Sequence, residues 1–160
     1  MAPLIYDASD ERHTAALGAA LADVLPNGAV VALCGTLGAG KTQLVQAIAE
    51  ASGIDRREVT SPTFVLAQEY YGRRTIYHLD AYRFTQPEEF LELGPEEYYQ
   101  SGGLVFIEWA DRVEDFLPVD YLEIRIEVTG DTSRRFECIA HGTRYVETVD
   151  RLAAKLADLA

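Results

Sequence analysis

Apolar positions fall into two periods along this chain. Short continuous runs read as buried strands: Ala29-Val30-Val31-Ala32-Leu33-Cys34 and Gly103-Leu104-Val105-Phe106-Ile107-Glu108. Thr63 to Tyr71 and Thr75 to Asp80 flank the turn residues Gly72-Arg73-Arg74 and predict a hairpin. Val119 to Val128 and Arg135 to Ala140, on either side of Gly130-Asp131, predict two more strands, and Leu4 to Tyr6 a short first one. Helical spacing appears elsewhere. Ser9 is placed to cap a helix through Val24, with Ala15, Ala16, Leu17, Ala20, Leu21 and Val24 as its apolar side. Gln43 to Ala51 carries Leu44, Val45 and Ile48, with Gly53 as a stop. Thr85-Gln86-Pro87-Glu88 has a capping-box pattern that starts a short helix, broken at Gly94-Pro95. Asp55 to Glu58 reads as polar linker. A last helix repeats Tyr145, Val149, Leu152, Leu156 and Leu159 at intervals of 4, 3, 4 and 3, as expected of a helix docked on its own domain.

Between the first long strand and the second helix lies Gly35-Thr36-Leu37-Gly38-Ala39-Gly40-Lys41-Thr42, which fits the phosphate-binding pattern Gly-x-x-x-x-Gly-Lys-Ser/Thr. Strand, glycine-rich loop and helix are the context this motif requires. Glycines let the backbone wrap a phosphate and aim successive N–H groups at it, and the helix N-terminus adds its dipole. Gly35, Leu37, Gly38, Ala39 and Gly40 would form the cradle. Lys41 would reach the β and γ oxygens, and Thr42 would give its hydroxyl oxygen to Mg²⁺. The order of elements predicts an α/β fold: a single-domain P-loop NTPase-like sandwich over residues 1–160, with helices flanking a mixed central sheet. The sheet is expected to be parallel near the loop and antiparallel at the hairpins.

The 160-residue length suits one domain with a proper core, and 48% apolar with 25% charged residues is ordinary for a globular protein. No apolar run reaches the ~18–20 residues of a membrane span, and the N-terminus lacks the pattern of a signal peptide. Two cysteines, Cys34 and Cys138, imply no disulfide framework, so the expected location is the cytoplasm. The formal charge of −12 argues against direct nucleic-acid binding. The pairs Arg56-Arg57, Arg73-Arg74 and Arg134-Arg135 read first as solvated surface and second as local anion or partner contacts.

A nucleoside triphosphatase needs a further carboxylate near the metal and a group that positions water. Leu104 to Ile107 ends in Glu108, four apolar residues and then an acid, and Thr75 to Leu79 ends in Asp80. Both are assigned to the metal shell, directly or through water, and either could orient the attacking water. Thr60-Ser61-Pro62-Thr63 is either a switch-like loop near the γ-phosphate or a simple turn. Trp109 is core or edge packing, or an aromatic near the nucleotide. His78 reads as a buried, satisfied strand residue, and Arg83 as a partner for an acid or a phosphate.

In this order and spacing, Gly35 to Thr42, Thr60-Ser61-Pro62-Thr63-Phe64, His78-Leu79-Asp80-Ala81-Tyr82-Arg83 and Glu108-Trp109 resemble the TsaE family (older name YjeE). These are small bacterial P-loop ATPases of tRNA threonylcarbamoyladenosine biosynthesis. Pro87 to Gly94 also fits, and the resemblance is strong from Ser9 to Trp109 and loose beyond. It implies an Mg²⁺-dependent ATPase, weak when alone, which supports turnover of a transferase complex formed with TsaD and TsaB and meets tRNA only through them. It implies that Gly38 to Gly40 and Lys41 hold phosphates, that Thr42 and Glu108 sit at Mg²⁺ with Asp80 at or near it, and that Thr60, Ser61 and Thr63 form the switch-like loop. Trp109 is implied to lie beside the site. The chain departs from the family at Thr36, where Asp is usual, and its adenine-side contacts stay open, with Ser9 to Glu11 and Arg134 as the positions considered. The alternative activity is a small-molecule kinase of the P-loop class, although no arginine-rich lid segment is evident. A guanine-reading Asn-Lys-x-Asp segment is absent, which disfavours a GTPase switch.

Overall fold

The computed structural model describes residues 2–36, 38–60 and 67–159. Seven strands form one sheet: β1 (Leu4–Ala8), β2 (Val30–Gly35), β3 (Ala67–Tyr71), β4 (Thr75–Asp80), β5 (Leu104–Glu108), β6 (Tyr121–Val128) and β7 (Arg134–His141). Their spatial order is β1-β7-β6-β2-β5-β4-β3. β2 runs parallel to both β5 and β6, and β4 parallel to β5. The β3–β4, β6–β7 and β1–β7 pairs are antiparallel. The expected mixed sheet is therefore present, parallel at its centre and antiparallel at both flanks.

Helices α1 (Glu11–Val24), α2 (Lys41–Ala51) and α4 (Thr143–Asp158) share one core with the sheet. Leu17 and Leu21 of α1, Leu44 and Ile48 of α2, and Val149 and Leu152 of α4 meet Val31, Leu33, Phe106, Ile124 and Phe136 there. The buried Tyr145 hydroxyl accepts from Val30 N at 3.0 Å and ties α4 to the start of β2. Among the described residues the opposite face is covered mainly over the parallel strands, by short 3₁₀ segments at Pro87–Leu93 and Ala110–Phe116 and by α3 (Pro95–Tyr99). All five residues of β5 are buried, which explains the four apolar residues that precede Glu108.

Several local expectations change. Asp10, not Ser9, caps α1: its carboxylate accepts from Arg12 N at 3.0 Å and His13 N at 3.3 Å, while Ser9 Oγ pairs with His13 Nδ1 at 3.1 Å. A full negative charge suits a helix N-terminus better than a hydroxyl does. Thr85 caps nothing. The segment after it is 3₁₀, begins at Pro87 after Gln86 and has no side-chain cap; a proline in the first turn has no N–H to satisfy. On α1 Ala15 is exposed, whereas Thr14 and Gly18 are buried. A Cβ at Gly18 would collide with Ala47 of α2, so the two helices approach through that glycine. Leu159 lies beyond α4 and is exposed, and β6 begins at Tyr121 because Val119 is fully outside. Asp55 to Glu58 contains a short 3₁₀ turn, Arg56–Glu58. The part of the predicted Thr63 to Tyr71 strand before Ala67 lies outside the described residues. No described helix is long and apolar enough to cross a membrane.

Candidate nucleotide site

The site gathers at the C-terminal ends of the parallel strands. β2 delivers the chain to Gly35, and α2 begins at Lys41. A side chain at Gly35 would sit 2.8 Å from the Ile126 carbonyl of β6, so only glycine allows the loop to leave the sheet there. Gly40 precedes α2 with φ 114°, a region closed to ordinary residues. Gly38, Ala39 and Gly40 follow as expected, while Leu37 lies outside the described residues.

Lys41 is 4% exposed and turns back over this loop. Its Nζ donates to the carbonyls of Gly35 (2.7 Å) and Thr36 (2.9 Å) and lies 3.8 Å from the centre of the Trp109 ring. Burial pushes the ammonium's pKa down, opposed by the fields of Glu108, Asp111 and Asp80. Carbonyl dipoles and an aromatic face thus hold this cation.

Thr42, one residue on, donates its hydroxyl to Glu108 Oε2 at 2.8 Å. Asp80 and Glu108 are register partners at the ends of adjacent strands β4 and β5. Both are buried, at 1% and 3% exposure, and Asp80 Oδ1 accepts from Tyr82 N at 2.8 Å. The two acids lie at adjacent strand ends, the threonine hydroxyl reaches one of them, and all three offer hard oxygen donors.

Trp109 lies over the lysine of the loop. It is the only non-glycine residue with positive φ (61°) among the described residues, a conformation costing roughly 1–2 kcal/mol. That backbone turns the chain just past Glu108 and lays the indole over Lys41, against the Tyr82 ring at 4.8 Å. Arg112 stacks on Tyr82 and donates to its carbonyl at 3.0 Å. Thr60 is exposed, and Ser61 and Thr63 lie outside the described residues.

Two further residues meet the loop and its acid. His78 is fully buried with Nε2 2.5 Å from Glu108 Oε2, so it contacts the acid that closes β5 rather than standing apart in β4. Its even spacing from Asp80 was the available signal, since i and i+2 share a strand face. Arg134, at the start of β7, donates to the Ala39 carbonyl at 2.9 Å. With Asp10, Arg12, Thr14, Gln43 and Thr132 it lines a cleft of about 310 Å³ beside the loop. A second cavity, of about 620 Å³, also borders Gly35 and Thr36 and is walled by Asp111, Glu114, Tyr121, Glu123 and Arg125.

Comparison with known proteins agrees with this architecture. A family model described as threonylcarbamoyl adenosine biosynthesis protein TsaE matches residues 8–136. The chain is 41% identical over 123 residues to a tRNA threonylcarbamoyladenosine biosynthesis protein TsaE of Treponema pallidum, covering 77% of this chain and 90% of the relative. It is 36% identical over 154 residues to the Bacillus subtilis protein of the same name, covering 96% of each. The crystal structure of Bacillus subtilis YdiB superposes with a TM-score of 0.80 at 32% identity, covering 96% of this chain and 97% of that one. With the family model spanning most of its length and relatives of this similarity, the chain belongs to the TsaE family of threonylcarbamoyl adenosine biosynthesis proteins.

Proposed function

We propose that this chain is a single-domain, cytoplasmic ATPase that binds ATP with Mg²⁺, hydrolyses it slowly when alone, and works with TsaD and TsaB in threonylcarbamoyladenosine modification of tRNA. The observation that carries the ATPase reading is the hydrogen bond from Thr42 to Glu108, which joins the phosphate loop to the acid at the end of β5. Lys41 and the N–H groups of Gly38 to Thr42 hold the phosphates. The cleft beside Arg134 and Gln43 adjoins Gly40 and receives the adenosine end.

The donor set fits Mg²⁺. Thr42, Glu108 and Asp80 supply oxygen only, and Mg²⁺ needs one or two such protein ligands besides phosphates and water. Among the described residues no three His, Cys, Asp or Glu side chains form a cage that would hold a metal without the nucleotide. Bound there, Mg²⁺ would neutralise charge on the β and γ phosphates. The chain's own part is positional: Lys41 leaves the Gly35 and Thr36 carbonyls for phosphate oxygen, and Glu108 and Asp80 orient water at the strand ends. Trp109 keeps bulk water off the Lys41 ammonium. Ser61 and Thr63, with Thr60, supply the loop that senses the γ-phosphate. The charge of −12 supports contact with tRNA through partner proteins rather than directly.

Turnover of ATP by the purified chain, alone, with candidate metabolites and with TsaB–TsaD, tests this reading. Stimulation by the protein pair is expected; a phosphorylated metabolite would replace it with a kinase. Lys41→Ala is expected to lower turnover by about 100-fold or more, with the fold retained.

A further inference from the structure

His78 has no part in the activity proposed so far, yet its surroundings are unusual for a merely structural residue. Its ring is fully buried in β4. Nε2 lies 2.5 Å from Glu108 Oε2, and because a carboxylate oxygen accepts, Nε2 carries the proton. Nδ1 is buried with no hydrogen-bond partner among the described residues. Among the described residues Glu108 is thus the one polar contact that sets the ring's orientation. A buried nitrogen left unpaired is unfavourable, and a leucine would fill the same space without it. The retained imidazole therefore needs a reason, and the single bond it makes supplies one.

The sheet explains how this bond forms. His78 pairs in register with Phe106, two residues before Glu108, so the imidazole reaches diagonally from β4 to β5 on a shared face. Thr42 approaches the same Oε2 from α2. Two donors on one oxygen anchor that side of the carboxylate and fix its plane.

We propose that His78 is the positioning residue for Glu108: a strut between β4 and β5 that keeps the carboxylate aimed at the metal–phosphate position once the Thr42 hydroxyl turns to the metal. This rests on the Mg²⁺ assignment of Thr42 and Glu108 made above. Without the strut, Glu108 would lose its remaining anchor as Thr42 reorients. Groups that hydrogen-bond to metal ligands set ligand orientation in this way, and their loss typically weakens metal affinity by about 10- to 100-fold.

The test compares ADP affinity by calorimetry in EDTA and across a Mg²⁺ titration, for the wild type and for His78→Leu, His78→Gln and His78→Asn. Glutamine can place an amide N–H where Nε2 stands; asparagine falls short. His78→Leu is expected to keep its metal-free ADP affinity and to need about tenfold more Mg²⁺ for the tight state, with His78→Gln near wild type. Should His78→Leu fail to fold by circular dichroism, Gln against Asn decides, with Asn expected to be weaker for metal. Equal Mg²⁺ dependence in every variant, or an equal loss of metal-free ADP affinity, overturns the positioning role. A wild type whose ADP affinity ignores Mg²⁺ would instead refute the metal site itself.

Discussion

Two glutamate–histidine pairs sit on this sheet, one in each half, and they are built differently. In the parallel half, Glu108 meets His78 Nε2 with both side chains out of solvent. In the antiparallel half, Glu123 of β6 meets His141 Nε2 at 2.8 Å and also the Arg125 guanidinium. There His141 is 36% and Arg125 62% exposed, and the His141 ring stacks on Tyr121 at 4.3 Å. Glu123 is thus matched by a full cation at the edge of water. Glu108 receives an imidazole N–H and a hydroxyl but no guanidinium, while the Lys41 ammonium is engaged with the loop carbonyls. An acid with its charge already balanced is a structural tie. An acid buried with weak compensation keeps a field for an incoming cation.

The largest effect expected from this contrast is on turnover. Glu108→Gln should lower ATP hydrolysis by roughly 100-fold or more at saturating Mg²⁺ while leaving the melting temperature close to wild type. The counterpart Glu123→Gln should leave turnover unchanged and cost about 1 kcal/mol of stability, because Arg125 is largely and His141 partly exposed. A turnover defect in Glu123→Gln equal to that of Glu108→Gln would erase the distinction. The parallel half could be read in the sequence because its pattern is local: a loop with glycines at set places, then an acid closing an apolar run. The Glu123 tie was not, since His141 lies 18 residues away and meets it only through the register of β6 with β7.

A smaller effect separates the pairs by pH. Burial raises the Glu123 pKa, but the bonds from Arg125 and His141 outweigh it and hold the pKa below its ordinary 4.5. A depressed carboxylate contributes stability above the unfolded value and loses it as pH falls through the folded one. The melting-temperature gap between wild type and Glu123→Gln should therefore be present at pH 7 and shrink below about pH 4. A gap that grows on acidification would contradict this account.

The smallest effect concerns Cys34, whose end of β2 lies on the seam between the halves and borders the large cavity. Burial pushes both its thiol and that of Cys138 up to about 12. At pH 8 both should alkylate slowly in the native protein, with Cys34, only partly buried, ahead of Cys138. Equal native rates would mean that the seam is closed.

Local sequence was enough for the glycine-rich loop, the strand and helix around it, the two acids at strand ends and the mixed character of the sheet. These depend on periodicity and on residue types a few positions apart, which short-range sterics and hydrogen bonding enforce. It also carried the resemblance to the TsaE family, because the motifs keep their order along the chain. Tertiary structure alone decided which side chains meet: that His78 braces Glu108, that Trp109 lies over Lys41, that Arg134 reaches the loop from β7, and that Gly18 lets α1 rest on α2. Each of these rests on strand order, register or helix approach, which follow from burying all the elements together and which no local pattern encodes.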